Sequence, residues 1–345
     1  MKKINKITNI PEIEYVNLKV FKENKRVLLF TGPTAYKSSK SFLKGLNIVE
    51  VFHIDSSKKE IINKNIDFLI SKKSKVDICF AVGGGIVADV AKMYAHELNL
   101  SLVIIPTLIS SDAFLVDCTG IRYNGCVKYI PSLRAKSVLI DFNLLKKTPL
   151  RLHLSGCGDV LSIYTGLSDW KLANRKEKLK ADETYSVSVA KMAETILEGL
   201  LIEKDEIKKG TRKGLEAILR ALIMEVQLCN TYGNSRPEEG GEHFFTYCIE
   251  NYMPHFLHGE MVSFGVLITS YLQKETWRKM YNFLTYVGLN YIPKGLTEEL
   301  VMKTLKELPS YVKKHHLRYS VYNDFSLKKD GVKVRKFVKF ILGKK

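Results

Sequence analysis

Short apolar runs alternate with amphipathic stretches over the first part of the chain. Five runs are dominated by β-branched and aliphatic residues, and the segments between them repeat apolar residues at helical spacing. The predicted strands are Arg26–Thr31, Ile48–Ile54, Asp77–Val82, Ser101–Ile105 and Ser137–Asp141. The predicted helices between them are Tyr36–Leu46, Lys58–Ser71 and Ile86–Leu98. This alternation is typical of a parallel sheet, and the nearly continuous apolar strands predict helices on both faces.

After Pro149 the pattern changes to long helical periodicities with few strand candidates. The predicted helices there are Tyr185–Leu201, Arg212–Thr231, Gly241–Ile249, Glu260–Gln273 and Thr297–Leu308. We therefore predict an α/β domain over residues 1–148 and a helical domain over residues 149–345, which suits a chain of 345 residues. Ligands of such folds bind beyond the carboxyl ends of the strands and in clefts between domains, so those positions are the first candidates for function.

The composition is that of a folded protein of a reducing compartment. Hydrophobic residues make up 46% and charged residues 26%, which supplies enough apolar surface for sizeable cores. The 6 cysteines form no CxxC pair and are expected to be free thiols. No segment has the apolar run of a secretory signal or a membrane span. We expect a cytoplasmic protein.

The chain is strongly basic, with 54 Lys and Arg against 36 Asp and Glu and a net charge of +18. Such a charge can attract nucleic acid, an anionic membrane or phosphorylated small molecules. The lysines are spread along the chain and no nucleic-acid-binding motif organises them. A solvated basic surface is the favoured interpretation, and no nucleic-acid partner is expected.

The strongest local signal is a glycine turn between a strand and a helix. In FAVGGGIVADVAKMYA an apolar run leads directly into Gly83, Gly84 and Gly85 and then into an amphipathic helix. Glycines let the backbone approach a ligand, and the free amides at a helix start suit a pyrophosphate. The turn lacks the GxGxxG spacing, and glycines after a strand can serve packing alone. We favour cofactor binding.

Two other strand ends carry candidate residues. Gly32 and Thr34 follow the first strand in LLFTGPTAYK, where a plain Gly-Pro turn is the alternative interpretation. No acid stands there to hold a ribose 2′-hydroxyl or repel a 2′-phosphate, so NADP is admissible as well as NAD. Pro106 and Thr107 end another strand, and Asp112 follows on a polar loop, where an isolated Asp more often serves a turn or a helix cap.

Three residues that suit a divalent metal lie far apart in the second part of the chain. They are Asp159 in SGCGDVLS, His243 in EEGGEHFF and His258 in PHFLHGEM, each beside glycines. One carboxylate and two imidazoles can hold Zn²⁺ or Fe²⁺ and leave a position open for substrate. The spacing alone is weak, and helix capping is the simpler interpretation of both histidines. No GxSxG motif, Walker loop or activated cysteine is present, so the sequence does not indicate a hydrolase or a kinase.

Taken in order, the segments resemble one superfamily. GGGIVADVAK, the PT that precedes Asp112, SGCGDVLSIYTGLSDWKLA, SRPEEGGEHFF and HGEMVSFG are similar to iron-type alcohol dehydrogenases, glycerol dehydrogenases, glycerol-1-phosphate dehydrogenases and dehydroquinate synthases. The likeness covers about 26–270, and GCGD, DWKLA and SRP before EH favour the glycerol-1-phosphate dehydrogenase branch. It implies a dehydroquinate synthase-like fold: an NAD(P)-binding α/β domain with a parallel sheet, an all-α metal- and substrate-binding domain, and a metal in the cleft between them.

The resemblance also implies residue roles. One divalent ion, Zn²⁺, Fe²⁺ or Ni²⁺, would be bound beside NAD or NADP. The implied metal ligands are Asp159, His243 and His258, which are also catalytic together with Asp112 as a substrate contact. The implied cofactor residues are Gly32, Thr34, Gly83, Gly84, Gly85, Asp89, Pro106 and Thr107. For a substrate phosphate, Arg236 and Lys128 are the basic candidates.

The implied reaction is reduction of dihydroxyacetone phosphate to sn-glycerol 1-phosphate by a homo-oligomeric enzyme. The sequence departs from that branch in SSDAF around Asp112, which includes the bulky Phe114, and in GEH where SEH is usual. Another ketone or polyol is therefore an alternative substrate. A sugar-phosphate cyclase of the dehydroquinate synthase type is disfavoured, because the metal acid is Asp159 and the lysine-asparagine context of that branch is not evident. A non-catalytic relative that binds polyanions is the remaining alternative.

Overall fold

The computed structural model describes residues 9–54, 65–66, 68–71 and 73–343. The chain divides into two compact units, an N-terminal unit Ile10–His153 and a helical unit that begins at Leu154. The sequence analysis placed this division at 148/149. Within the described ranges, no helix is both long enough and apolar enough to cross a lipid bilayer.

The N-terminal unit contains a six-stranded sheet in which every paired strand is parallel. The strand order is β1-β8-β5-β4-β2-β3. The strands of this sheet are β1 (Glu12–Tyr15), β2 (Glu23–Thr31), β3 (Leu46–His53), β4 (Ile78–Gly83), β5 (Leu102–Pro106) and β8 (Ser137–Ile140). All five strands that the sequence predicts are present. The central strands β4 and β5 are buried along their whole length, as expected for a sheet covered on both faces.

The register aligns the carboxyl ends of three neighbouring strands. Thr31 at the end of β2 pairs with Val82 of β4, and Gly83 pairs with Pro106 at the end of β5. The Thr31 hydroxyl also donates a 2.7 Å hydrogen bond to the carbonyl of Val82. The loops that follow β2, β4 and β5 therefore start side by side at one edge of the sheet.

The helices of this unit are α1 (Pro33–Ser39), α2 (Gly85–Leu98), α3 (Phe142–Leu145) and α4 (Leu150–Leu154), the last of which runs across the division between units. The predicted helix Ile86–Leu98 corresponds to α2. The predicted helix Tyr36–Leu46 is shorter and earlier, because proline occupies a first position of α1 and a 3₁₀ turn follows it. The predicted helix Lys58–Ser71 lies mostly outside the described residues, of which 65–66 and 68–71 are helical.

A two-stranded antiparallel hairpin, β6 (Cys118–Tyr123) and β7 (Cys126–Pro131), was not predicted. Its turn is Asn124-Gly125, with φ angles of 53° and 75°. Both values are positive, as a two-residue type I′ turn requires, and Asn-Gly is the preferred pair for that turn. The signal was therefore present in the sequence.

His153 ties two segments of the N-terminal unit together. Its Nδ1 accepts the backbone N–H of Ile109 at 3.3 Å, and its Nε2 lies 2.9 Å from the carbonyl oxygen of Leu145. The two contacts require a neutral ring with the proton on Nε2. Burial lowers the pKa of His153, which favours this neutral form.

From Leu154 onwards, every element in the described chain is a helix. The helices are α5 (Gly156–Arg175), α6 (Val187–Ile202), α7 (Lys204–Lys209), α8 (Arg212–Tyr232), α9 (Gly241–Ile249), α10 (His258–Leu272), α11 (Trp277–Val287), α12 (Glu298–Lys314), α13 (Val321–Asp324) and α14 (Leu327–Leu342). The five predicted helices are present, and α5, α11 and α14 are additional long ones. The predicted fold class, a parallel-sheet α/β domain followed by an all-α domain, is confirmed.

Candidate metal centre and cofactor turn

The three predicted metal ligands come together in the helical unit. Asp159 lies in the first turn of α5, His243 in α9 and His258 at the start of α10. One potential ligand atom from each lies within 4.8 Å of the others. Asp159 and His243 are each only 7% exposed, and His258 is half-buried. No second group of this kind occurs among the residues that the structure describes.

Two glycines bring α5 and α10 into contact at this point. A Cβ atom at Gly158 would lie 2.2 Å from the backbone oxygen of Gly259, and one at Gly259 would lie 1.8 Å from the backbone oxygen of Ser155. Any side chain at either position would force the two helix starts apart. Because Asp159 and His258 are the immediate neighbours of these glycines, the close approach of the backbones places the two side chains together.

A third glycine brings α9 to the same place. A Cβ atom at Gly265 of α10 would lie 2.6 Å from the backbone oxygen of Glu242 in α9. Glu242 precedes His243, so this contact sets the distance between the two histidine-bearing helices. The rings of His243 and His258 have centroids 5.4 Å apart. Glycine clustering around the ligands therefore has a structural cause.

Glu242 orients His243 and was missed by the sequence analysis. It is fully buried, and its Oε1 lies 3.0 Å from Nδ1 of His243. The same carboxylate accepts the backbone N–H of Gly240 and the hydroxyl of Thr165, each at 2.6 Å. With Nδ1 engaged as a donor, His243 offers Nε2 to a metal, the usual arrangement for a ligating histidine. An acid directly before a candidate ligand was the available signal.

The charges around His243 favour a cation. Burial lowers the pKa of His243, but the hydrogen bond to Glu242 and the charges of Glu242, Glu239 and Asp159 outweigh burial and raise it to about 9. Positive charge is therefore stabilised at this position. Metal bonds of roughly 2.0–2.2 Å would place the ligand atoms roughly 3–4 Å apart, and Nε2 of His258 already lies 3.6 Å from Oδ1 of Asp159. The donor set therefore fits a divalent metal.

In the N-terminal unit, the glycine turn follows β4 as predicted. Gly83 ends the strand, Gly84 caps α2 with extended φ and ψ of −95° and −164°, and Gly85 begins the helix. A Cβ atom at Gly83 would lie 2.7 Å from the side chain of Val87, and one at Gly84 would lie 2.9 Å from Leu108. Close packing thus accounts for glycine at both positions, and the turn leaves the first amides of α2 without helical partners.

The other predicted cofactor residues lie at the same edge of the sheet. The backbone N–H of Thr107 donates to the carbonyl of Gly83 at 3.0 Å, which joins the Pro106-Thr107 turn to the glycine turn. Gly32 caps α1 after β2, and Thr34 is exposed in that helix. The structure thus brings together the glycine turn and the turns that follow β2 and β5.

Two predicted acids of the N-terminal unit lie next to this edge. Asp89 is one turn into α2, where its Oδ1 lies 3.0 Å from Nζ of Lys92. Asp112 is half-buried in the loop between β5 and β6. Phe114 of the same loop is only 4% exposed, so its bulk is accommodated in the interior of the unit. No role was predicted for Lys92 from the sequence.

The two basic candidates for a substrate phosphate differ in exposure. Arg236 is fully buried, and its guanidinium donates hydrogen bonds to the carbonyls of Asp169 and Tyr319 at 3.0 and 2.8 Å. Arg236 is therefore a structural residue of the helical unit and not a phosphate contact. Lys128 is exposed on β7, with Nζ 5.2 Å from the ring centre of Tyr123.

Comparison with known proteins shows the family to which this chain is similar. Residues 16–149 match the family model described as iron-containing alcohol dehydrogenase. A glycerol-1-phosphate dehydrogenase [NAD(P)+] from Thermoplasma volcanium is 30% identical over 84% of this chain and 84% of its own length. The corresponding protein of Methanothrix thermoacetophila is 31% identical over 62% of this chain, and the match spans only 60% of that relative.

Solved structures show the same fold. Glycerol dehydrogenase from Schizosaccharomyces pombe superposes with a TM-score of 0.68 over 98% of this chain and 93% of that chain, at 16% sequence identity. An iron-containing alcohol dehydrogenase from Corynebacterium glutamicum superposes with a TM-score of 0.69 over 97% of this chain and 95% of that chain, at 11% identity. At these identities the likeness concerns the fold alone.

Proposed function

Because the chain belongs to the glycerol-1-phosphate dehydrogenase family of iron-containing alcohol dehydrogenases, we propose that it reduces dihydroxyacetone phosphate to sn-glycerol 1-phosphate. The enzyme is an NAD(P)-dependent oxidoreductase that acts on CH–OH groups, and it uses one divalent metal.

The convergence of Asp159, His243 and His258 carries this proposal. Three ligand atoms from three different helices lie within 4.8 Å of one another, close enough to bind one divalent ion. Three protein ligands leave at least one coordination position for a substrate oxygen. Such a site suits a carbonyl substrate.

Each residue of the candidate site has a role in the proposed reaction. A bound divalent metal supplies Lewis acidity toward the ketone carbonyl, while NAD(P)H supplies the hydride. Asp159, His243 and His258 would hold the metal, and the contact of Glu242 with Nδ1 of His243 would leave Nε2 of that ring free to bind it. The amides of Gly83–Gly85 receive the cofactor pyrophosphate. Asp112 accepts hydrogen bonds from substrate hydroxyls.

The test is a panel of ketones assayed with NADH and NADPH after the protein has been reconstituted with Zn²⁺, Fe²⁺ or Ni²⁺. We expect metal-dependent loss of reduced nicotinamide absorbance, with dihydroxyacetone phosphate preferred over dihydroxyacetone. A preference for the unphosphorylated ketone would contradict the substrate assignment. Release of phosphate with no net nicotinamide change would instead indicate a cyclase.

The ligand assignment has its own matched pair of variants. His258→Ala should lose the metal and turnover together, whereas His255→Ala should retain both, because His255 is an exposed neighbour outside the cluster. Metal content by elemental analysis and the rate with dihydroxyacetone phosphate are the two measurements. Retained metal and a normal rate in His258→Ala would refute the assignment.

A further inference from the structure

Lys92 is a buried cation in the interior of the N-terminal unit. It lies on α2, and its side chain has no exposed surface. Its Nζ donates to the carbonyl oxygens of Ala113 at 2.9 Å, Val116 at 3.3 Å and Cys118 at 2.5 Å. A carboxylate oxygen of Asp89 lies 3.0 Å from the same nitrogen.

Four oxygens around one nitrogen indicate more than space filling. A charged amine is strongly disfavoured in a protein interior unless its charge is paired and its donors are used. Here all three carbonyls belong to the loop between β5 and β6 or to the first residue of β6. One side chain on the helix therefore binds the loop near both its middle and its end.

Asp89 extends the same attachment to the hairpin. Its backbone oxygen accepts the hydroxyl of Thr119 at 3.1 Å. The loop that begins after β5 is therefore anchored where β6 starts. These contacts belong wholly to the N-terminal unit.

The anchored loop lies against the glycine turn. A Cβ atom at Gly85 would be 3.1 Å from Oγ of Ser111 and 3.5 Å from Cβ of Ala113. Asp112, the predicted substrate contact, lies between these two residues. The carbonyl that Lys92 binds at Ala113 is thus next to both the helix start and Asp112.

We propose that Lys92 is a positioning residue, whose ammonium group fixes loop 111–118 against the start of α2 and so places Asp112 beside the cofactor turn. The role of Asp112 rests on the proposed function, whereas the anchoring of the loop does not. As a positioning residue, Lys92 acts through the loop and touches neither substrate nor cofactor.

The test exploits the space that Lys92→Ala leaves among three carbonyls and a carboxylate. Ammonium or methylammonium ions should enter that space and restore the loop, whereas tetramethylammonium at the same ionic strength should not. Lys92→Met is the matched control, because its side chain fills the space without a charge and admits no cation. The wild-type protein should not respond to any of these ions.

Two measurements follow the loop and the reaction separately. Amide hydrogen exchange over residues 110–118 should become at least roughly tenfold faster in Lys92→Ala, as expected for the loss of a charge-assisted hydrogen bond, and ammonium should slow it again. In steady-state assays, KM for nucleotide and for ketone should rise by roughly tenfold with a smaller change in kcat. Ammonium should reverse the rise in KM.

The outcomes separate this inference from the proposed function. Unchanged exchange in Lys92→Ala, or faster exchange that ammonium leaves unchanged, would overturn the anchoring. If Lys92→Ala is not folded in a buffer whose only salt is sodium chloride, a rise in melting temperature on addition of ammonium supports the anchoring. The absence of such a rise refutes the anchoring. An ammonium-sensitive loop in a protein that reduces no ketone phosphate would leave the anchoring intact and reject the proposed function.

Discussion

Replacing Glu242 should weaken metal binding although Glu242 is not a ligand. Its carboxylate accepts hydrogen bonds from Nδ1 of His243, the backbone N–H of Gly240 and the hydroxyl of Thr165. In Glu242→Gln, the amide oxygen can take the place of Oε1, which serves the first two donors. The variant therefore keeps the contact to His243 and loses its negative charge.

The expected loss follows from that difference. Partners of metal-bound histidines typically contribute 10- to 100-fold to metal affinity. For Glu242→Gln we expect the lower limit, roughly tenfold or about 1.4 kcal/mol. In Glu242→Ala, Nδ1 of His243 and the backbone N–H of Gly240 lose their acceptor, whereas the Thr165 hydroxyl can still donate to the carbonyl of Ser162 at 3.2 Å. We therefore expect roughly 100-fold weaker binding. The unfolding free energy should also fall by about 3 kcal/mol, since each buried donor left unsatisfied costs about 1–3 kcal/mol.

The assay is titration of metal-free protein with Zn²⁺ in the presence of a competing chelator. Glu250→Gln serves as the control for charge, because Glu250 caps the opposite end of the same helix. We expect wild-type affinity in that control. Turnover of Glu242→Gln at saturating metal should approach the wild-type rate, because the ligands themselves are unchanged.

Equal affinities in wild type, Glu242→Gln and Glu242→Ala would refute the reasoning. So would a Glu250→Gln variant that loses as much affinity as Glu242→Gln, because a general loss of negative charge would then explain both. A rate that stays low at saturating metal would assign Glu242 a direct part in the reaction.

Three further outcomes are expected. Gly259→Ala places a Cβ atom 1.8 Å from the backbone oxygen of Ser155 and should lower both the melting temperature and the metal content. The control Gly199→Ala, at an exposed helix position with no atom within 4 Å, should stabilise the protein by about 0.5–1 kcal/mol. Equal melting temperatures of the two variants would contradict this. Folding lowers the pKa of His153 below its ordinary value of 6.5, so the folded protein disfavours the protonated ring. The free energy of unfolding that His153 contributes is therefore fully present above pH 6.5 and decreases as the pH falls through 6.5. Thermal unfolding followed between about pH 7.5 and 5.5 should therefore show a smaller loss in His153→Gln than in wild type, and parallel losses would exclude this role. Asp112→Asn should raise KM for the ketone by roughly tenfold with unchanged metal content, and an unchanged KM would remove Asp112 from the substrate site.

Five of the six strands of the parallel sheet were predictable because each contains a local apolar run, whereas β1, with the sequence EIEY, was not predicted. Helix α5 was missed because Gly156, Gly158 and Gly166 interrupt its pattern, although Gly158 and Gly166 allow other backbones to approach it. The hairpin β6–β7 was missed despite its Asn-Gly turn. Local periodicity does not show which backbones will touch.

The site residues show the same limit. Asp159, His243 and His258 are distant in sequence, and their convergence depends on contacts between helices that no spacing rule describes. The sequence marked them as candidate metal ligands, but only the resemblance to a known superfamily favoured this role over helix capping. Lys92 is the last residue of GGGIVADVAK, but its sequence context does not distinguish a buried lysine from an exposed one. Glu242 directly precedes a candidate ligand in the sequence, but its contact with Nδ1 of His243 follows only from the structure.

The contact between Gly158 and Gly259 has a consequence for how this protein tolerates change. Where two main chains touch directly, the separation of the attached ligand residues does not depend on rotamers or on the volume of neighbouring side chains. Substitutions among the surrounding core aliphatic residues can therefore alter the melting temperature while the coordination geometry persists. A collection of such core variants should differ widely in heat resistance and bind the same ion.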